Sequence, residues 1–265
     1  MKITNLKKIG QKDLIVFDLD GTIVRTKAPM DATMSKLMAR LLAEKPIAII
    51  GGGKYGVFQE LFLKRLTAPK SLLKNLFLFP TTSTTFYRFS NGSWKNVYAL
   101  LLTRSQRSRA KNAFLEVFKE IGYVHPKTYG EIIEDRGSQV TFSVYGQDLV
   151  KALGNKGVKI KEDWHRKNFD LKMKITKLVA KKLPDLEVRA AGFTSIDVTK
   201  KGVDKAYGLR QIQKQLKIPI KKMLFVGDAI YPGGNDYAAV RTGVDYVKVK
   251  NPDETKKLIR KLLKD

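Results

Sequence analysis

The sequence predicts an α/β protein, with a Rossmann-like doubly wound parallel sheet core and an inserted α+β domain. Three observations carry this. Strand-like and helix-like segments alternate at both ends of the chain, the pattern of a parallel sheet covered by helices on both faces. The middle of the chain breaks that alternation. The length of 265 residues exceeds one typical core and falls short of two average domains.

The elements follow in order. "LIVFD" (14–18) is an apolar, strand-like run. From Asp31 to Lys45, Met34, Leu37, Met38, Leu41 and Leu42 recur at helical spacing, with Asp31 or Thr33 placed to cap the N-terminus. "PIAII" (46–50) reads as a second buried strand, broken by "GGG" (51–53). "YGVFQELFLKRL" reads as a helix and "LFLF" (76–79) as a third strand. Strand patterns at 84–88, 97–102, 131–135 and 139–144 alternate with helical stretches near 105–121 and 170–183. The alternation then returns with a helix at 205–216, strands at 223–226 and 245–250, and an amphipathic helix from Pro252. The expected division is a core of residues 1–83 and 189–265 with an insert of 84–188.

Composition narrows the class. Hydrophobic residues make up 43% of the chain, enough for a full core. No apolar run nears the ~20 residues that span a bilayer, and "MKITNLKKIG" has no signal-like stretch. Cysteine is absent, which excludes disulfides and thiolate metal sites. A cytoplasmic protein is the expectation. His125 and His165 are too isolated in the sequence to suggest a metal site. Fifty-one Lys and Arg against 25 Asp and Glu leave a net charge of +26. Such a surface attracts anions: phosphorylated metabolites, nucleic acid or acidic lipid.

Two acid clusters carry the chemistry. The first strand ends on Asp18 and Asp20 in "DLDGT", and a later one ends on Gly227 and Asp228 in "MLFVGDAIYPGGND". In a doubly wound sheet, ligands bind beyond the carboxyl ends of strands. Carboxylates gathered there repel, by about 4 kcal/mol for two unit charges about 4 Å apart at an effective dielectric of about 20. A hard cation relieves this, and oxygen-only ligands suit Mg²⁺. With the cation in place, Asp18 is placed to act as a nucleophile on phosphorus and Asp20 to exchange protons with the leaving and entering oxygens.

"DLDGT" with a late "GDxxxxPGGND" resembles the haloacid dehalogenase superfamily. "PGGND", "PIAIIGGGKY" and "SIDVTKKGVDKAYGL" (195–209) are similar to its phosphomannomutase branch, with the insert where that branch has its type IIB cap. The resemblance implies site residues one by one. Asp18 matches the nucleophile and a metal ligand, and Asp20 the acid/base that also gives a backbone carbonyl to the metal. Asp228 matches the remaining carboxylate on Mg²⁺, and Asn235 and Asp236 the pair that supports this loop. Lys205 matches the lysine that neutralises the phosphate, and Ser195 and Asp197 the sugar-contacting pair. Lys27 falls where the family has an arginine; it keeps the charge and loses the bidentate fork.

Two departures matter. The family's second motif offers a hydroxyl to phosphate, whereas residues 50–54 read Ile-Gly-Gly-Gly-Lys. Backbone N–H groups of Gly52 and Gly53 would serve instead. In the cap, Arg136 is in place, but Gln147 stands at the next arginine position and Gly154 near a third. Gln147 offers a neutral amide where arginine gives charge and paired donors. These departures lead to the expectation of a Mg²⁺-dependent phosphohydrolase acting on sugar phosphates or similar small phosphomonoesters through an aspartyl-phosphate, with a sugar phosphomutase as the alternative. A homodimer through the cap is a further expectation. A nucleic-acid binder on the same fold is the reading from another class, because residues 151–182 hold 11 Lys and Arg against three acids.

Overall fold

A computed structural model of the chain describes residues 10–26 and 28–263. These residues fall into two units: everything up to Ala99 together with everything from Asp204 onward, and the continuous segment Leu100–Val203.

The first unit is built on a seven-stranded sheet. Its strands are β1 (Leu14–Asp18), β2 (Ile47–Ile50), β3 (Leu76–Phe79), β4 (Thr85–Ser90), β5 (Ser93–Ala99), β10 (Met223–Gly227) and β11 (Asp245–Lys248). Their spatial order is β11-β10-β1-β2-β3-β4-β5. The five strands from β11 to β3 run parallel, with β1 central, and β4 and β5 continue the sheet as an antiparallel hairpin. β1, β2, β3 and β10 are buried on both faces, which is why they read as continuous apolar runs, whereas the edge strand β11, DYVK, is half-buried. Ile15, Phe17, Ile47 and Ile49 pack on one side with helices α1 (Ala32–Glu44) and α8 (Pro252–Leu262). Leu14, Val16, Ala48 and Ile50 pack on the other with helix α6 (Lys205–Leu216). Asp31 caps α1 by accepting from the Met34 N–H at 2.9 Å, as the spacing predicts.

The second unit has a four-stranded antiparallel sheet in the order β6-β7-β9-β8. These are β6 (Ile133–Asp135), β7 (Val140–Ser143), β8 (Leu186–Ala191) and β9 (Ser195–Lys200). Val140, Phe142, Ile196 and Val198 form its apolar face, against Phe114 and Val117 of α3 (Arg104–Glu120) and Ile175 and Val179 of α5 (Asn155–Lys182). Between β7 and α5 lies α4 (Leu149–Leu153).

The structure moves both expected domain boundaries, 83/84 and 188/189. The segment 85–99 is a two-residue hairpin turned by Asn91 (φ 50°) and Gly92 (φ 76°), and Phe77 and Leu78 of β3 pair with it. It therefore completes the core sheet. At the other end, β9 pairs with β7 on one side and with β8 on the other, so Ser195 and Asp197 belong to the inserted unit. Strand propensity is local, and the pairing partner is not. No helix among the described residues is long and apolar enough to cross a membrane.

Candidate active site

Asp18 ends β1, and Asp228 follows β10, the strand hydrogen-bonded beside it. Parallel neighbours deliver their carboxyl ends to the same edge, so the topology alone brings these acids together. Oxygen atoms of Asp18, Asp228 and Asp236 all lie within 4.8 Å of one another.

Glycine makes the convergence sterically feasible. Gly21 has φ 83°, and a Cβ there would lie 2.5 Å from Asp228 Oδ2, so the "DLDG" loop passes directly over that carboxylate. A Cβ on Gly227 would lie 2.4 Å from Asp236 Oδ2. The same oxygen accepts the Ala229 N–H at 3.1 Å, which ties the "PGGND" loop back onto β10. Thr22 Oγ1 donates to Asp228 Oδ1 at 3.5 Å.

Lys205 opens α6, where Asp204 caps the helix by accepting from the Tyr207 N–H at 2.8 Å. Its Nζ donates to Asp18 Oδ1 at 2.5 Å and to the Ile50 carbonyl at 3.1 Å, and lies 3.2 Å from Asp236 Oδ1. The side chains of Lys205, Asp18 and Asp236 are 3%, 6% and 0% exposed, so solvent screens this group weakly. Burial works against the Lys205 charge, but Asp18 and Asp236 outweigh it and hold the ammonium protonated. Burial lifts Asp18 well above the usual carboxylate range; Lys205 pulls it down, and Asp236 and Asp228 push it up. Asp228 is pushed up to about 7 by burial first and by Asp236 next.

One ammonium thus faces two buried carboxylates, Asp18 and Asp236, and the half-buried Asp228. The uncompensated negative charge and the all-oxygen donor set fit a hard divalent cation such as Mg²⁺. Asp20 is partly buried, bridges to Val24, and adds to the negative potential at Asp228.

The glycine loop after β2 is held from the next strand. Thr82 N–H donates to the Gly51 carbonyl and Thr81 N–H to that of Gly53, both at 2.9 Å. Thr81, Thr82 and Ser83 have φ of 49°, 55° and 68°, a left-handed run rare for β-branched residues. Gly52 and Gly53 are half-buried at this turn.

The remaining predicted residues divide. Asp236 joins the acid–lysine group, while Asn235 is exposed on the loop beside it. Lys27 lies outside the described residues. Arg136, Ser195 and Asp197 are in the inserted unit, in a polar set of its own. Across its sheet, Glu134 faces Thr141, Thr141 faces Asp197, and Asp197 faces Arg189. Asp197 accepts from Thr141 Oγ1 at 2.8 Å, and the hydroxyls of Ser195 and Ser143 are 3.5 Å apart. Arg136 donates to Glu134 at 2.7 Å and to Gln147 Oε1 at 3.2 Å. Thr22 and the 81–83 turn were not singled out by the sequence. Thr22 stands inside "DLDGT", two residues past Asp20, which was its available signal.

The chain is similar to known proteins along most of its length. The family model for eukaryotic phosphomannomutase matches residues 34–265. The phosphomannomutase of Encephalitozoon cuniculi is 27% identical over 258 residues, covering 96% of this chain and 94% of that one. That of Saccharomyces cerevisiae is 25% identical over 254 residues, covering 94% and 93%. Among solved structures, Plasmodium falciparum IMP-nucleotidase superposes with a TM-score of 0.70 at 17% identity, over 98% of this chain and 72% of the other. The C-terminal domain of Candida albicans trehalose-6-phosphate phosphatase gives 0.62 at 18% identity, over 97% and 95%. At such identities the two structures speak for the fold alone.

Proposed function

The chain belongs to the eukaryotic phosphomannomutase family of the haloacid dehalogenase superfamily, and from that premise we propose that it is a sugar phosphomutase acting on a hexose phosphate such as mannose phosphate. It is an enzyme of the phosphomutase or phosphatase kind. The observation that carries the reading is the buried Asp18–Lys205 pair, set among Asp228 and Asp236 at the carboxyl edge of the sheet.

The residues support the following chemistry. A carboxylate oxygen of Asp18 attacks phosphorus, forming a bond to it as the bond from phosphorus to the sugar oxygen breaks. Asp20 gives that oxygen its proton. In the second half, a different hydroxyl of a sugar that keeps a second phosphate of its own loses its proton to Asp20 and takes the phosphoryl group, freeing Asp18. Burial favours the neutral form of Asp18, and the Lys205 ammonium opposes it, favouring the attacking carboxylate. Mg²⁺ held by Asp18, Asp228 and the Asp20 carbonyl would offset charge shared between carboxylates and phosphate. Backbone N–H groups of Gly52 and Gly53 are assigned to phosphate oxygens. Arg136, Ser195, Asp197 and Lys27 are assigned to the substrate, and Asn235 and Asp236 to support of the "PGGND" loop.

One observation favours a second reading, hydrolysis. Gln147 occupies an arginine position of the family and engages Arg136 through its carbonyl oxygen; an amide there holds a second phosphate less firmly than arginine. Water would then take the place of the sugar hydroxyl.

The test is incubation with mannose 1-phosphate and Mg²⁺, following both mannose 6-phosphate and inorganic phosphate. Mannose 6-phosphate as the main product is expected; phosphate as the sole product assigns the hydrolase, and neither product overturns both readings. Asp18→Asn should lower turnover by roughly 10³-fold or more with an unchanged melting transition. EDTA should abolish turnover and Mg²⁺ restore it; turnover indifferent to EDTA removes the metal from the scheme.

A further inference from the structure

Neither the acid cluster nor the family explains the net charge of +26. Much of that charge has a specific arrangement on α5. Lys156, Lys159, Arg166, Lys167, Lys174, Lys177 and Lys181 are all exposed. At 3.6 residues per turn they fall within an arc of roughly 100°. The opposite face is the buried one, with Gly157, Lys161, Lys172, Ile175, Thr176 and Val179. From Lys156 to Lys181 the stripe runs roughly 38 Å at about 1.5 Å per residue, bent at Asn168, whose φ is −129°.

Two acids share the arc, Asp163 and Asp170. Asp163 pairs with Arg166 at 2.9 Å. The six lysines form no ion pair among the described residues. Lys177 and Lys181 are four residues apart, and Lys156 and Lys159, like Lys174 and Lys177, three apart. Like charges at these spacings weaken a helix. An anionic partner would relieve the repulsion among these lysines.

We propose that this face of α5 docks the phosphate backbone of duplex nucleic acid without reading sequence. Charge complementarity and length argue for that occupant. The stripe matches about one turn of a duplex, roughly 34–36 Å. Lysine meets phosphate as a point charge, and the one arginine is already engaged by Asp163, so bidentate recognition of bases is not provided for. A membrane surface fits less well, because interfacial helices bury Trp, Phe or Leu. On this helix the exposed large apolar residue, Phe169, lies outside the arc. The proposal is independent of the phosphotransfer chemistry.

The test is fluorescence anisotropy of the full chain with a 30-base-pair duplex, as DNA and as RNA, between about 50 and 200 mM NaCl. Five to six phosphate contacts give a slope of log K against log salt of about −5. Changing the six lysines to Gln should weaken binding by about 100-fold at the lower salt and flatten the slope. A control changes Lys36, Lys70, Lys74, Lys214, Lys257 and Lys261, exposed in the first unit, to Gln. Both variants carry 26 − 6 = +20, and the control should retain most of the affinity. Variants of Lys156, Lys159 and Lys167 alone, or of Lys174, Lys177 and Lys181 alone, should each remove about half of the slope. Retained phosphotransfer activity in all variants shows that they fold. Equal losses in stripe and control variants, no duplex binding by the parent chain, or binding to phosphatidylserine vesicles in preference to duplex would each overturn the proposal.

Discussion

At the scale of single residues, the site is set by how closely small residues let charged ones approach. Gly227 is the clearest case, because a methyl group there would meet Asp236 Oδ2. Gly227→Ala should destabilise the protein by about 1–3 kcal/mol through overpacking and lower turnover by displacing Asp236; an unchanged melt and an unchanged rate would refute the contact. Lys172 gives a second case, in the inserted unit. It is 3% exposed, donates to the Gly192 carbonyl at 2.8 Å, and lies beside His165. Burial pushes its ammonium down from 10.5 to about 8, with Asp197 opposing. Between these values the unfolded lysine holds a proton that the folded one has released, so stability rises with pH across that window. The stability of the wild type relative to Lys172→Met should therefore climb from pH 8 to 10.5, by on the order of 3 kcal/mol. Denaturant titrations of both proteins measure the difference, and a flat one would contradict it.

At the scale of elements, the left-handed turn 81–83 joins β3 to β4 and pins both Gly51 and Gly53. Backbone of this kind costs a β-branched residue about 1–2 kcal/mol and persists because its surroundings fix it. Thr82→Gly should raise the melting midpoint by a few degrees; a lower midpoint would mean that side-chain contacts of Thr82 outweigh the strain. The turn shows where sequence reading stops. "PTTST" has no glycine or asparagine to announce positive φ, whereas "DLDG" and "PGGND" announce their turns with glycine. The acid-bearing strands were legible because each is an apolar run that stops on an acid beside a glycine, in "LIVFDLDG" and "MLFVGD". The first strand of the hairpin was legible at 84–88, while the second was read at 97–102 and lies at Ser93–Ala99; the attachment to β3 was not legible, because a β-ladder leaves no mark on sequence beyond alternation. β8 (186–191) was missed: "LEVRAA" is short, and its polar positions Glu187 and Arg189 face Thr199 and Asp197 across the ladder.

At the scale of the whole molecule, the order of elements along the chain was legible and the division into units was not. Helices and strands follow from local periodicity, while membership of a sheet depends on partners far away in sequence. The catalytic assignment depends on the same separation: Asp18 comes from the first strand, Lys205 and Asp228 from beyond the insert. The basic stripe was visible as composition, 11 basic residues in 151–182. That it occupies one face required knowing that the helix starts at Asn155, well before the expected start near 170, and continues through its bend at Asn168 to Lys182.

The pairing of Leu14 with Met223 at the centre of the sheet also bears on biosynthesis. On the ribosome, β1 emerges well before the strand that covers its flank, with the whole of segment 100–203 between them. The segment 100–203 is continuous and has its own apolar layer, so it has what it needs to close while β1 still waits. Distant pairings of this kind are slow to form, and an uncovered strand edge invites association with other nascent chains. A polypeptide ending at residue 222 should accordingly accumulate as aggregate while the isolated segment 100–203 stays in solution, and fractionation after cell-free synthesis would measure both; a monodisperse 1–222 product would contradict this order of events.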